Sequence, residues 1–251
     1  MFSYIWHTLF FDPIYNLLIF LINFIPDGNV GFAIIFTVIL VKMLLLPVAL
    51  KSSSTQLQLK KIESELRSIK EKYKNDKQAQ SQAIISLYKE NNINPFSSVL
   101  VVFLQIPFVI ALYLSVNKIS TSLSNIDTSF IYNFNTIPHT LTTNFLGFEI
   151  SDKSLFLSIL VGVVQFLYMN KVMRKSTNNS NEASKKTPSL KDEFAKNMQF
   201  QFRYLMPIMI AVFSYITSTA ISLYFLVSGL MSFLQEWIVS RYKNKVGSGV
   251  E

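Results

Sequence analysis

Apolar residues along this chain fall into blocks whose lengths suit a bilayer. Runs at 30–50, 95–117 and 153–171 approach or exceed the roughly 18–20 apolar residues a helix needs to cross hydrocarbon. A longer run from 203 to 240 has room for two crossings. Helices satisfy their own backbone hydrogen bonds in lipid, so the pattern predicts an all-α polytopic membrane protein. Its spans are 30–50, 95–117, 153–171, 203–217 and 218–240, the last two joined by a tight turn at Ser218 and Thr219. DPIYNLLIFLINFIP, residues 12–26, is apolar but short and bounded by prolines. That length predicts an amphipathic helix on the outer surface, within a lead-in of 1–29, with Trp6 and Tyr15 at headgroup level. The alternative is a sixth span.

Between the first two spans the pattern changes. In 51–94, Leu59, Ile62, Leu66, Ile69 and Tyr73 recur at spacings of 3 and 4 and form one helical stripe, with lysines and glutamates on the other faces. NDK at 75–77 is a break, and Ala83, Ile84, Leu87 and Tyr88 form the stripe of a second helix. Two such helices predict an antiparallel hairpin in the cytoplasm. Residues 118–152, rich in Ser, Thr and Asn, read as an outer loop with at most a short helix. Residues 172–202 read as a polar cytoplasmic linker and 241–251 as a cytoplasmic tail.

Charge supplies the orientation. The net charge of +8 could suggest nucleic acid, but 20 of the 23 Lys and Arg lie in 51–94, 171–203 and 241–251. The first 41 residues carry none. By the positive-inside rule the basic segments face the cytoplasm, which gives five crossings, an outside N-terminus and an inside C-terminus. Cysteine is absent and the two histidines, His7 and His139, are far apart, so no metal site and no cofactor are expected. No nucleotide-binding motif is present either.

One cation lies inside an apolar run. Lys42, in TVILVKMLLLPVALK at 37–51, stands about 3 Å from the midpoint of its span at 1.5 Å per residue. A lysine there costs roughly 2.5–3.5 kcal/mol on insertion scales. Its stem reaches about 6 Å, whereas the interface is roughly 12 Å away, so snorkelling alone falls short. No carboxylate lies at similar depth; Glu236 is near the cytoplasmic end. Other helices offer polar faces: Ser218, Ser222, Phe225, Gly229, Ser232 and Glu236 on the last, Ser154, Ser158, Gly162 and Gln165 on the third, and Gln105 just before Pro107 on the second. Singly, such residues more often pack helices together. With a central cation among them, a hydrated cavity accounts for the set better.

Three stretches resemble the YidC/Oxa/Alb membrane protein insertases. TVILVKMLLLPVALK resembles the family's first core helix, with its basic residue five before a proline. LYKENNINPFSSVLVVFLQIPFVIALY at 87–113 resembles the end of the hairpin and the second helix. LMPIMIAVFSYITSTAISLYFLVSGLMSFLQEWIVSR at 205–241 resembles the last two helices. The resemblance implies five helices around a hydrophilic groove, open to cytoplasm and lipid and sealed outside. It makes Lys42, where the family usually has arginine, the groove cation. It implies substrate contact by Ile106 and Val109, puts Phe225 where an aromatic residue faces the groove, and aligns Tyr168 with a frequent glutamine for which Gln165 could substitute.

The expected activity is non-covalent insertion of nascent membrane proteins, without intrinsic ATPase activity, in the plasma membrane of a bacterium. The expected partners are nascent membrane proteins and lipid, then the Sec translocon, the ribosome and a targeting receptor; nucleic acid is no substrate. The rival readings are a small membrane transporter and a structural membrane scaffold.

Overall fold

A computed structural model describes residues 2–94, 96–119, 126–177 and 201–247. Most of the 172–202 linker, part of the 118–152 loop, Pro95 and the end of the tail lie outside these residues. The chain forms two compact units, Met1–Lys42 with Phe108–Glu236, and Met43–Pro107 with Trp237–Glu251.

The first unit opens on a helical stretch without interruption: α1 (Phe2–Trp6), a π-helical turn (His7–Phe11) and α2 (Asp12–Phe24). The sequence pattern bounds this helix by the prolines at 13 and 26. Proline lacks a backbone donor and crowds the preceding turn, but the widened π turn just before it takes up the crowding. Ser3–Phe24 is thereby long and apolar enough to cross a membrane, so shortness no longer argues for an interfacial helix. Its outward side carries Tyr4, Leu9, Phe20 and Phe24, all exposed and none charged. Its inward side, Ile14, Tyr15, Leu18, Ile19 and Ile22, is buried in the main core.

That core is completed by Val30, Ala33, Ile34 and Val38 on α3 (Val30–Leu44), Ala111, Leu112, Val116 and Ile119 on α7 (Phe96–Ile119), and Leu157 on α8 (Leu155–Thr177). Ala220, Leu223 and Tyr224 join it from α10 (Thr219–Gly247), which follows α9 (Met206–Thr217). Leu155–Val172 and Thr219–Ile238 are also long and apolar enough to span, and Val30–Leu44 with Leu46–Ser52 adds a fourth span if that broken pair counts as one. Phe103–Ile119 and Arg203–Thr217 are shorter apolar helices. The fold is therefore that of an all-α membrane protein with three or four spans by length and composition among the described residues. The break at Leu45 divides the expected 30–50 helix. Pro47 has no N–H to give to the carbonyl four residues back, and it disfavours helical geometry at Leu46.

The loop of 126–152 is tied to α2 and to the start of α3. Asn16, buried within α2, donates to Asp12 O (2.8 Å) and Phe130 O (2.7 Å) and accepts from Tyr132 N (2.7 Å) and Asn135 Nδ2 (3.0 Å). Asn23 donates to Thr136 O at 2.8 Å, and Asn29 to Asn144 O at 2.8 Å. Thr142 pairs with the chain at Gly28 and Val30 (3.1 and 3.0 Å). Gly28 is required there: its φ is +61°, and a Cβ would lie 2.1 Å from Thr140 O. The loop has more regular structure than its composition suggested: a 3₁₀ turn at Thr128–Phe130 and a two-stranded ribbon of β1 (Asn144–Phe145) and β2 (Phe148–Glu149).

The second unit holds α4 (Leu46–Lys61), α5 (Glu63–Lys72) and α6 (Lys77–Glu90). Ile62, Leu87 and Ile93 are buried together, with Leu59, Leu66, Ile69 and Tyr88 packed against them. The α5–α6 turn closes on its own polar groups. Asp76 Oδ1 accepts from Gln78 N (3.0 Å) and Ala79 N (2.9 Å) as an N-cap, and Gln80 Nε2 donates to Lys70 O at 2.9 Å.

Candidate functional site

Lys42 lies in the last turn of α3, half-buried, with its Nζ donating to Ser232 Oγ on α10 at 3.1 Å. Ser232 Oγ in turn donates to Ser228 O at 2.9 Å. Gln235, on the same side of α10, brings Nε2 within 3.5 Å of the Lys42 carbonyl. An ammonium has three donors, and Ser232 takes one. No carboxylate pairs with Lys42 among the described residues. A half-buried cation answered only by a neutral hydroxyl keeps most of its field for an incoming negative group.

The rest of the polar interior ties the helices together. Ser214 on α9 donates to Ser222 Oγ on α10 at 2.7 Å, across the turn whose hinge, Ser218, is fully extended. Ser222 is fully buried, and its Oγ lies 3.2 Å from Ser218 O. Ser222 thereby joins α9 to α10, as buried serines in apolar surroundings commonly do. Gln165 Nε2 on α8 donates to Phe225 O at 3.4 Å. The two helices approach closely at Gly229, where a Cβ would lie 2.9 Å from Val164 Cγ1. Phe225 is half-buried, edge-on to Phe213 and Tyr224 with ring centroids 6.2 and 5.2 Å away.

Of the residues singled out in the sequence, Lys42 meets Ser232, and Gln165 meets Phe225, all within the first unit. Val109 packs half-buried against the same unit's core, and Tyr168 is half-buried one turn beyond Gln165. Gln105 and Ile106 belong to the second unit, where Gln105 is half-buried and Ile106 exposed. Two residues escaped the sequence reading. Thr37 on α3 and Ser115 on α7 are buried, and neither hydroxyl has a partner among the described residues. An unsatisfied buried hydroxyl costs about 1–3 kcal/mol unless water reaches it. Each is a hydroxyl inside an otherwise apolar helical stretch, the same signal that exposed Lys42.

The outward surface of the unit is apolar. Leu155, Phe156, Ile159, Val163 and Leu167 on α8, and Ile208, Val212 and Ile216 on α9, are exposed, while Ser158, Ser214, Ser222 and Ser228 are buried. A soluble monomer rarely shows so large an apolar face. The sequence model of the 60Kd inner membrane protein family matches residues 20–246. The chain belongs to this family. It is 32% identical over 234 residues to the membrane protein insertase YidC of Fusobacterium nucleatum, covering 91% of this chain and 97% of that one. It is 26% identical over 242 residues to the protein of the same name from Oceanobacillus iheyensis, covering 94% and 84%. The namesake from Syntrophobacter fumaroxidans is 29% identical over 242 residues, which are 96% of this chain and 39% of that longer one. Family membership and the apolar helices together make this chain a bacterial inner membrane protein.

Proposed function

We infer that this chain is a membrane protein insertase that works without covalent chemistry. Its clients are nascent membrane proteins, and lipid receives their helices. In our reading five helices surround a hydrated groove and the helix of Ser3–Phe24 lies at the outer surface without crossing, with the N-terminus outside and the C-terminus in the cytoplasm. Lys42 draws an acidic or otherwise hydrophilic segment of the client into that groove. The observation that carries the reading is the half-buried Lys42 ammonium, with Ser232 Oγ as its single hydrogen-bond partner and no carboxylate paired to it among the described residues. The unsatisfied hydroxyls of Thr37 and Ser115 support a hydrated interior.

The physics is a reduction of a barrier. A polar groove reaching partway through the bilayer shortens the hydrocarbon a hydrophilic segment must cross. A fixed positive charge in a low dielectric offsets much of the desolvation of an incoming carboxylate. Apolar client helices then leave sideways into lipid, driven by burial of their surface. A membrane potential positive outside adds about 2.3 kcal/mol per negative charge per 100 mV for an outward-moving acidic tail. In this scheme Ile106, Val109 and Phe225 contact the passing helix, and Gln105, Gln165, Tyr168 and Ser222 shape the polar interior. No step requires nucleotide hydrolysis by this chain. The Sec translocon, the ribosome and a targeting receptor deliver or share clients.

A charge series at Lys42 tests the mechanism in cells depleted of the native insertase. Lys42→Arg supports insertion of a client with an acidic outer tail, whereas Lys42→Ala and Lys42→Glu reduce it at least tenfold. Equal insertion by all three variants would remove the electrostatic mechanism. Solute uptake by vesicles containing only this chain would replace it with transport.

A further inference from the structure

Two cations of the first unit play no part in the scheme above. α8 and α9 are antiparallel neighbours: at one end Asp152 O, just before α8, accepts from Thr219 N, just after α9, at 2.7 Å. At the other end Arg203 Nη2 donates to Asn170 Oδ1. From Leu155 to Lys171 is about 24 Å of helix at 1.5 Å per residue, close to the thickness of a hydrocarbon layer. The exposed apolar residues of α8 and α9 lie between these ends. Lys171 and Arg203 therefore stand where the apolar wall gives way to a headgroup layer.

Both cations are held in place, yet neither is neutralised. Lys171 Nζ sits 4.1 Å from the centroid of the Phe233 ring, and the Arg203 guanidinium carbon 5.5 Å from that of Tyr204. Arg203 Nε is shut off from solvent and has no acceptor among the described residues. Neither side chain pairs with a carboxylate among the described residues. A guanidinium presents its donors in a fork that matches two oxygens of a phosphate. Asn170, whose Oδ1 is taken by Arg203, keeps its Nδ2 to donate. Beside them Tyr204, Leu205 and Leu167 offer an exposed apolar surface.

We propose that Asn170, Lys171 and Arg203 bind the phosphodiester of an anionic phospholipid, whose acyl chains lie along the exposed faces of α8 and α9. The site needs only a headgroup layer at this end of the helix pair, so it does not depend on the direction of client movement. Two unpaired cations against one phosphodiester leave a surplus positive charge, which favours phosphatidylglycerol over the zwitterionic phosphatidylcholine.

The test uses the full chain in detergent, titrated with phosphatidylglycerol or phosphatidylcholine and read by native mass spectrometry. The native chain retains phosphatidylglycerol preferentially. Arg203→Gln and Lys171→Gln each lower that retention about fivefold, the order expected for one basic residue at a lipid surface. Arg203→Lys, which keeps the charge and loses the fork, retains more than Arg203→Gln and less than the native chain, and an unchanged thermal unfolding midpoint of Arg203→Gln shows that its loss is not misfolding. Lys153→Gln, at the opposite end of α8, changes nothing. Retention that is unchanged in both glutamine variants overturns the proposal. Full displacement of the lipid by millimolar inorganic phosphate would show a site for a free anion and overturn its lipid part. Lys42→Ala lowers insertion at least tenfold while leaving phosphatidylglycerol retention intact, so failure here and failure of the groove mechanism are separable.

Discussion

Ile159 on α8 and Ile85 on α6 are almost equally exposed, at 58% and 53%, yet they stand on surfaces of opposite kind. Around Ile159 the exposed neighbours are Leu155, Phe156, Leu160 and Val163, while Ser158, one residue away, is buried. Around Ile85 the exposed neighbours are Ser81, Gln82, Ser86 and Lys89, and the buried residue is Leu87. In the hairpin, apolar groups hide and charges face out, as water demands. In the first unit apolar groups face out and hydroxyls turn in, because hydrocarbon gives an exposed polar group no partner. One rule, that a polar group must find a polar partner, produces two inverted surfaces in the two solvents.

The sharpest way to break this comparison is to make the same substitution on both surfaces. Ile159→Lys lowers the fraction of chain recovered folded in membranes, by roughly 2.5–3.5 kcal/mol on insertion scales. Ile85→Lys changes stability by no more than about 0.5 kcal/mol, as a surface change in water does. Equal behaviour of the two variants in a membrane-fractionation assay would show that α8 does not face lipid. Next in size is Asn16→Ala. It strips Phe130 O and Tyr132 N of a buried partner, at about 2 kcal/mol, and protease cleavage within 126–152 rises if the tie to α2 is what orders that loop. Unchanged cleavage would refute it. Asp76→Ala removes the N-cap of α6 and weakens the hairpin by about 1 kcal/mol. Hydrogen exchange at Gln78 and Ala79, whose amides the cap holds, would accelerate, with no change in the first unit.

These regions also differ in how far the sequence disclosed them. The hairpin stripe is local. Leu59, Ile62, Leu66 and Ile69 announce their shared face through spacing alone, and they pack with Leu87 and Ile93. Lys42 was visible because a cation stands out in an apolar run. Its partner was visible only as a member of a stripe, since Ser232 lies 190 positions away and nothing local ties the two. The bond from Ser214 to Ser222 spans only eight positions, but it crosses the turn at Ser218, so neither helix's own period shows that the two hydroxyls meet. Asn16 was overlooked because a single amide in an apolar helix has no period; its partners lie in a loop whose composition gave no hint of order. A proline at each end made 12–26 read as a short helix, whereas the π turn before Pro13 lets the helix continue back to Phe2.

The smallest effect concerns the acid response of the loop. Asp127 accepts from Ser129 Oγ (2.6 Å) and Ser129 N (3.2 Å) and pairs with Lys118 Nζ at 3.0 Å. The Ser129 hydroxyl, and then the Lys118 ammonium, hold its carboxyl below the usual carboxylate value. Between the lowered folded value and the unfolded one, the unfolded chain binds more protons, so stability rises with pH across that interval. The contribution is fully present above about pH 4, the ordinary aspartate range, and is lost as pH falls through the folded value. Asp127 is open to solvent, and salt screens the pair with Lys118, so the effect is a slight flattening of an acid profile. Asp127→Asn keeps an oxygen for Ser129 and removes the charge facing Lys118. Its thermal stability therefore falls less steeply below about pH 4 than that of the native chain, and the difference shrinks at high salt. Superimposable profiles would mean that this carboxylate holds the loop by shape alone, like the neutral amides of Asn16 and Asn23.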